Sequence, residues 1–225
     1  MTADARPVTH LLYLHGFRSS PQSAKARATA AWVARYRPEV RWWCPQLPPS
    51  PREAMALLDN GTSGWPAAAS GVVGSSLGGF YATALAERLG AGCRAVLLNP
   101  AVDPARDLQK HIGQTTAWHS DERFFFRPEF IEELRAIGPA ALTRMERYHA
   151  VIARGDEVLD WCEMGARYRG AAVQLLEGGD HALGDFEAVH LAPAMAFLGL
   201  VPAPALAPAA TSAPASTPPA PRPRR

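Results

Sequence analysis

Short apolar segments of strand length alternate along this chain with segments of helical periodicity, and this alternation constrains the fold more than any other feature. The strand-like segments are 10–15, 40–44, 71–75, 94–98, 148–153 and 172–176. A strand that is apolar along its whole length is buried on both faces, and such strands separated by helices indicate a parallel sheet with helices on both sides. The sequence therefore predicts a compact α/β fold.

Capping residues and apolar spacing predict helices between these strands. Serine followed by proline, at 20–21 and again at 50–51, is typical of a helix start, with a cap residue before proline at the first helical position. Asn60-Gly61 is interpreted as a turn that ends the second of these helices. Further helices are predicted over 77–89, 159–168 and 186–198, the last with a bend at Pro193.

Residues 1–200 are predicted to form a single domain that carries a small cap. The segment 103–137 interrupts the alternation, because it contains helical pieces and three consecutive phenylalanines but no clear strand, and part of 103–145 is predicted to form the cap. Its large apolar side chains predict a cap that covers a pocket and restricts the size of the ligand. These side chains are Trp118, Phe124, Phe125, Phe126 and Phe130. Among them, Trp118 and Phe126 are the candidate pocket residues.

Composition excludes nucleic acid as a partner and sets the last residues apart. The formal net charge is +2, but three arginines lie within 201–225, so the first 200 residues hold 20 basic against 21 acidic side chains. A near-neutral domain offers no broad positive surface for nucleic acid. The segment 201–225 consists mainly of Ala and Pro with some Ser and Thr, cannot bury a core, and is predicted to be a disordered tail.

Targeting segments and metal-binding patterns are not indicated either. No N-terminal segment has the length of a signal peptide, and no run approaches the ~20 apolar residues of a membrane span, so we expect a cytoplasmic protein. Cys44, Cys93 and Cys162 are far apart and form no C-x-x-C pair, which argues against a zinc site or a disulfide framework. We expect no metal and no cofactor.

The segment GVVGSSLGGF, residues 71–80, contains the most specific chemical signal in the chain. Its glycines match the pattern G-x-S-x-G only when Ser76 is the central residue, since Ser75 has Val73 two positions before it. In a nucleophile elbow the serine sits on a strained turn between a strand and a helix, where the residues two positions away must be small. The pattern predicts Ser76 as a nucleophile.

Two further residues that suit acyl transfer follow later strands. Asp156 comes after the fifth predicted strand and His181 after the sixth, which gives the order Ser, Asp, His. A serine hydroxyl needs a histidine to remove its proton, and an aspartate orients that histidine. Asp156 is the candidate acid because Gly155 lets the chain turn directly after the strand, while Asp103 and Asp160 are the alternatives.

Backbone N–H groups near the serine are candidates for stabilising a developing oxyanion. Leu77 follows Ser76 at a helix start, and Phe17 follows the first strand in the segment His15-Gly16-Phe17. His15 is a candidate pocket residue. Arg18 is interpreted as an exposed loop residue, with contact to an acidic substrate as the alternative. The remaining histidines that we considered lie on helices or in the irregular segment and are assigned no role: His111, His119, His149 and His190.

Several longer motifs resemble one family. They are LYLHGFRSSPQSAKA, GSSLGGFYATALAERLG, LLNPA, GDEVLD and GGDH, and together they resemble the small YqiA-like esterases, a compact branch of the α/β-hydrolases. The resemblance extends over roughly 10–198. It implies a minimal α/β-hydrolase fold, carboxylester hydrolysis without a cofactor, and Ser76, Asp156 and His181 as nucleophile, acid and base.

The sequence is thus interpreted as that of a serine hydrolase acting on a small-molecule ester or thioester of a short or modest acyl group. Two other classes of function stay open. One is a non-catalytic ligand-binding protein that keeps the hydrolase fold. The other is an interaction protein that acts through its Pro-rich tail. The sequence does not indicate the oligomeric state.

Overall fold

The core of the protein is a six-stranded sheet in which all neighbouring strands are parallel. The structure, a computed structural model, describes residues 7–116, 123–139 and 141–202. The strand order is β2-β1-β3-β4-β7-β8. These strands span His10–Leu14 (β1), Arg41–Trp43 (β2), Ser70–Ser75 (β3), Arg94–Leu98 (β4), Tyr148–Ala153 (β7) and Ala172–Leu176 (β8). The predicted α/β architecture is confirmed.

Helices cover both faces of the sheet because alternate strand residues point to opposite sides and both sets are apolar. The helices span Ala24–Tyr36 (α1), Pro51–Thr62 (α2), Leu77–Leu89 (α3), Pro104–Asp107 (α4), Glu129–Ile137 (α5), Trp161–Arg167 (α6) and Leu191–Phe197 (α7). Leu12 and Leu14 pack on the face that carries α2, α3, α5 and α6, while Leu11 and Tyr13 pack on the face of α1 and α7. None of the described helices is long and apolar enough to cross a membrane.

The first helix begins later than predicted. Ser20 and Pro21 form a turn, in which the Ser20 hydroxyl accepts the Gln22 N–H at 3.2 Å and the Ser20 carbonyl accepts the Ser23 N–H at 3.0 Å. Ser23 is therefore the N-cap, and α1 starts at Ala24. The serine–proline pair at 50–51 is a helix start as predicted, since the Ser50 hydroxyl accepts the Glu53 N–H.

The prediction that Asn60-Gly61 ends the second helix is wrong. Both residues are helical, and α2 continues to Thr62. A Cβ on Gly61 would lie 2.1 Å from the Trp43 ring, so the missing side chain makes room for the indole. Glycine is therefore required at this position for packing rather than for a turn.

The segment between β4 and β7 contains two strands that the sequence did not indicate. β5 (Gly113–Thr116) and β6 (Arg123–Phe126) form an antiparallel pair apart from the main sheet. Neither strand alternates apolar with polar residues, which explains why the pattern was missed. This pair, α4 and α5 lie within the segment predicted to form a cap, and the buried Phe126 of β6 packs on Phe17 and Phe130.

The last predicted helix is divided into two parts. Residues Phe186–His190 form a π-helical turn, and α7 follows without a break. The irregularity comes just before Pro193, whose nitrogen cannot donate to the carbonyl four residues earlier. The tail was predicted to be disordered, and its residues from 203 onward lie outside the described part of the chain.

Candidate active site

Ser76 occupies a sharp turn between β3 and α3. Its backbone has φ +56° and ψ −123°, in a region that residues other than glycine seldom adopt. Two hydrogen bonds link this turn to the end of β4 and the residues after it, because the Ser76 N–H donates to the Leu98 carbonyl and the Ser76 carbonyl accepts the Ala101 N–H, both at 3.0 Å. The turn raises the Ser76 side chain above the carboxyl end of the sheet.

The glycines on either side of Ser76 are sterically required. A Cβ on Gly74 would lie 2.3 Å from the Gly78 carbonyl oxygen, and a Cβ on Gly78 would lie 2.0 Å from the Leu14 carbonyl oxygen. Since these neighbours are backbone atoms, they cannot move aside as a flexible side chain would. Glycine is therefore needed at both positions of the G-x-S-x-G motif, because β3 and α3 approach each other and their neighbours too closely for a side chain.

His181 lies between Ser76 and Asp156 and is hydrogen-bonded to both. Its Nε2 is 3.0 Å from Ser76 Oγ, and its Nδ1 is 2.8 Å from Asp156 Oδ2. A carboxylate accepts only, so Nδ1 carries the proton and Nε2 is free to accept the serine hydroxyl proton. The sequence placed these residues at three separate strand ends, and the fold brings them into one hydrogen-bonded chain.

The orientation of Asp156 is fixed by its own loop. Its side chain is fully buried, and Oδ1 accepts the N–H groups of Val158 and Leu159, each at 2.8 Å. Oδ2 is thereby directed at His181. Gly155 permits the loop to approach the histidine loop closely, because a Cβ there would lie 2.2 Å from the Gly179 carbonyl oxygen.

The two alternative acids cap helices. Asp160 is the N-cap of α6 and accepts the Cys162 N–H at 2.7 Å. Asp103 is the N-cap of α4 and accepts the Arg106 N–H at 3.1 Å. Within the described residues, the carboxylate that is hydrogen-bonded to His181 is that of Asp156.

His15 is buried beneath the loop that follows β1, and both of its ring nitrogens are hydrogen-bonded to backbone groups. Its Nε2 accepts the Leu47 N–H at 3.2 Å, and its Nδ1 lies 3.1 Å from the Gly16 carbonyl and donates to it. Burial lowers the pKa of His15, which favours the neutral ring that this bonding requires. His15 lines the cleft beside Ser76 and also links the end of β1 to the loop after β2.

The backbone at Phe17 and Leu77 borders the Ser76 side chain. A Cβ on Gly16 would be 3.6 Å from Ser76 Oγ, so the Gly16–Phe17 segment passes directly beside the hydroxyl. Leu77 is the first residue of α3, and the first N–H groups of a helix have no partner within it. Leu77 is thus adjacent to Ser76 in the chain, and Phe17 follows the glycine that lies beside the Ser76 side chain.

Two adjoining cavities open beside these residues. The larger, of about 520 Å³, is lined by both Ser76 and His181. The smaller, of about 340 Å³, shares Phe17 and Leu77 with it and is lined largely by apolar side chains. These apolar side chains include Leu47, Tyr81, Leu108, Phe126 and Leu134. Trp118, the other predicted pocket residue, lies outside the described residues.

Arg18 and His111 also border the cavities. Arg18 is half-buried rather than exposed, has φ +60°, and lines both cavities. His111 lines the larger cavity and packs on Phe17 with ring centroids 5.4 Å apart. His119 lies outside the described residues. No group of three or more His, Cys, Asp or Glu side chains in 7–116, 123–139 and 141–202 is arranged to hold a metal ion.

Asn99 is the residue of this region whose contacts sequence reasoning missed. It follows β4 in the motif LLNPA, is fully buried, and hydrogen-bonds to the loop that carries His181. The available signals were its position at a strand end and its presence in a motif shared with the YqiA-like family. Neither signal shows which atoms the amide contacts.

The fold is that of the α/β-hydrolases. The chain is similar to mouse alpha/beta hydrolase domain-containing protein 10, with 15% identity, a TM-score of 0.63, and coverage of 86% of this chain and 90% of that one. A structure described with the metagenome-derived lipolytic enzymes LipS and LipT has 17% identity and a TM-score of 0.60, and the match covers 87% and 95%. Est1E from Butyrivibrio proteoclasticus has 13% identity and a TM-score of 0.56, with 85% and 87% covered.

The chain belongs to the Uncharacterised protein family UPF0227, whose family model matches residues 10–199. This match confirms the resemblance to the YqiA-like proteins.

Proposed function

We propose that this protein is a serine hydrolase that cleaves carboxylic esters or thioesters of small or modest acyl groups through an acyl-enzyme on Ser76. One observation carries the proposal: the hydrogen-bonded chain from Asp156 through His181 to Ser76, which ends in a cavity of about 520 Å³. A structural role for Ser76 does not explain its strained backbone, because its side chain makes no capping hydrogen bond to α3.

Acylation would begin with transfer of the Ser76 proton to His181 Nε2. The Ser76 oxygen would then attack the ester carbonyl carbon, and the carbonyl oxygen would become the oxyanion of a tetrahedral intermediate. Asp156 would stabilise the imidazolium that forms. Collapse of the intermediate would break the bond to the alcohol, which would leave with the proton from His181.

The N–H groups of Phe17 and Leu77 would face the oxyanion. Loss of one such donor costs about 10²–10³ in rate in enzymes of this kind. The positive end of α3 adds a favourable field at the same point. Water, deprotonated by His181, would then attack the acyl-enzyme, release the carboxylic acid and restore Ser76.

The apolar cavity beneath the cap is the candidate acyl site. Its volume of about 340 Å³ lies near the lower end of the ~300–1,000 Å³ range of ligand pockets. Its walls suit a hydrocarbon or aromatic acyl group, and Phe126 and Leu134 belong to the cap. Among the structural neighbours, the name "lipolytic enzymes" supports an ester as the substrate class.

Covalent labelling tests the proposal. We expect a fluorophosphonate probe to label the folded wild-type protein stoichiometrically, since the probe reacts with serines activated by a neighbouring base. Mass spectrometry of the digested protein should locate the label on Ser76. Prior heat denaturation is the control and should abolish labelling. A folded protein that no such probe labels would favour the non-catalytic binding function instead.

The acyl cavity predicts a limit on chain length. We expect kcat/KM for p-nitrophenyl esters to be highest for short or modest acyl groups and to fall by at least about tenfold for long-chain ones, because the volume of the cavity is only about 340 Å³. The measurement is initial-rate kinetics from acetyl to palmitoyl esters below their critical micelle concentrations. A steady rise in kcat/KM through the longest chain would contradict the acyl-site assignment.

A further inference from the structure

The buried amide of Asn99 joins the strand that precedes Asp156 to the loop that carries His181. Its Oδ1 accepts the Ala153 N–H at the end of β7, at 2.8 Å. Its Nδ2 donates to the carbonyl oxygens of Asp180 at 3.1 Å and His181 at 3.3 Å. The amide orientation is unambiguous, because an N–H group faces one end of it and two carbonyls face the other.

The backbone around Asn99 is bonded to the third member of the site. Leu98 and Ala101, on either side of the Asn99-Pro100 turn, make the two hydrogen bonds to the Ser76 backbone described above. Asn99 itself has φ +42°, a left-handed conformation that asparagine tolerates better than most residues. The Asn99-Pro100 turn is therefore hydrogen-bonded to the Ser76 backbone, to the end of the strand that precedes Asp156, and to the backbone of the loop that carries His181.

Two other side chains among the described residues hydrogen-bond to the His181 loop from nearer the surface. The exposed Glu157 accepts the His181 N–H through Oε2 at 3.0 Å, and Lys25 on α1 donates to the Ala182 carbonyl. Asn99 is the fully buried member of this set. Because water cannot replace its hydrogen bonds, the position of the loop depends most strongly on this amide.

We propose that Asn99 is the positioning residue for the base: its Nδ2 holds the backbone of Asp180 and His181 so that His181 Nε2 stays within hydrogen-bond distance of Ser76. This inference rests on the proposed function. Asn99 touches neither substrate nor reacting atoms in this scheme. A shift of about 1 Å in a catalytic group can cost about 10² in rate, so a loop contact of this kind is kinetically important.

Two substitutions test the inference. Asn99→Asp keeps the shape and an acceptor for the Ala153 N–H, but it places oxygen where Nδ2 faced two carbonyls. Asn99→Gly removes every side-chain contact and suits the left-handed backbone. We expect each variant to lower kcat by about 10–100-fold with KM changed less than about threefold, because the cavity walls stay intact. The rate of fluorophosphonate labelling should fall in parallel.

Thr83→Val is the matched control. Thr83 is buried, and its hydroxyl bonds to the Gly79 carbonyl and Tyr168 Oη, at 2.8 and 2.9 Å, without contact to the His181 loop. This variant should lower the Tm while kcat per folded molecule stays at the wild-type value.

The outcomes separate the inference from the proposed function. Wild-type kcat per folded molecule in Asn99→Asp and Asn99→Gly would overturn the positioning role, as would losses no larger than in Thr83→Val. If Asn99→Asp does not fold, the kcat of Asn99→Gly per folded molecule tests the positioning role alone. A folded wild-type protein that neither turns over esters nor reacts with the probe would overturn the proposed function and, with it, this inference.

Discussion

Replacing Ser76 by alanine should lower ester turnover by about 10⁶-fold while the protein stays folded. The reason is chemical, because the hydroxyl oxygen 3.0 Å from His181 Nε2 is the atom that would form the acyl-enzyme. The side chain makes no capping hydrogen bond to α3, so its loss should leave the Tm nearly unchanged. Turnover of p-nitrophenyl acetate, stoichiometric probe labelling and thermal denaturation measure these three quantities.

Ser75→Ala is the control that the chain itself supplies. Ser75 ends β3, lies 7% exposed, and belongs to the strand rather than the turn. We expect this variant to keep a substantial fraction of wild-type turnover and full labelling. An inactive Ser75→Ala protein beside an active Ser76→Ala protein would overturn the assignment of the elbow.

The positions of the three candidate catalytic residues could be predicted because they follow from topology. Parallel strands bring their carboxyl ends to one edge, so residues just after β3, β7 and β8 must lie near one another. The glycine positions of the motif also distinguished Ser76 from Ser75, because glycine is needed at 74 and 78, where the strand and the helix approach closely. A short sequence motif could identify the serine because the close approach involves residues only four positions apart in the chain.

The features that could not be predicted depend on contacts between distant parts of the chain. Gly61 looks like a turn residue until the Trp43 ring is placed against it. β5 and β6 are stabilised by pairing with each other, and neither strand has a pattern of its own. The contacts of Asn99 to Ala153 and His181 join residues more than 50 positions apart, and no sequence spacing reports such a bridge.

Replacing Asp156 by asparagine should lower kcat by up to about 10⁴-fold without unfolding the protein. The N–H groups of Val158 and Leu159 both donate to Oδ1, so the oxygen of an asparagine would take that place and its NH₂ group would face His181 Nδ1. The imidazole would then carry its proton on Nε2, where it cannot accept the proton of the serine hydroxyl. Steady-state kinetics measures kcat, and circular dichroism measures whether the variant is folded.

Asp160→Asn is the matched control. The Asp160 carboxylate accepts the Cys162 N–H at the start of α6, and asparagine also caps helices well. It should retain most activity, as should Asp103→Asn. A large, fold-preserving loss confined to Asp103→Asn would place the acid after β4 and refute the assignment to Asp156.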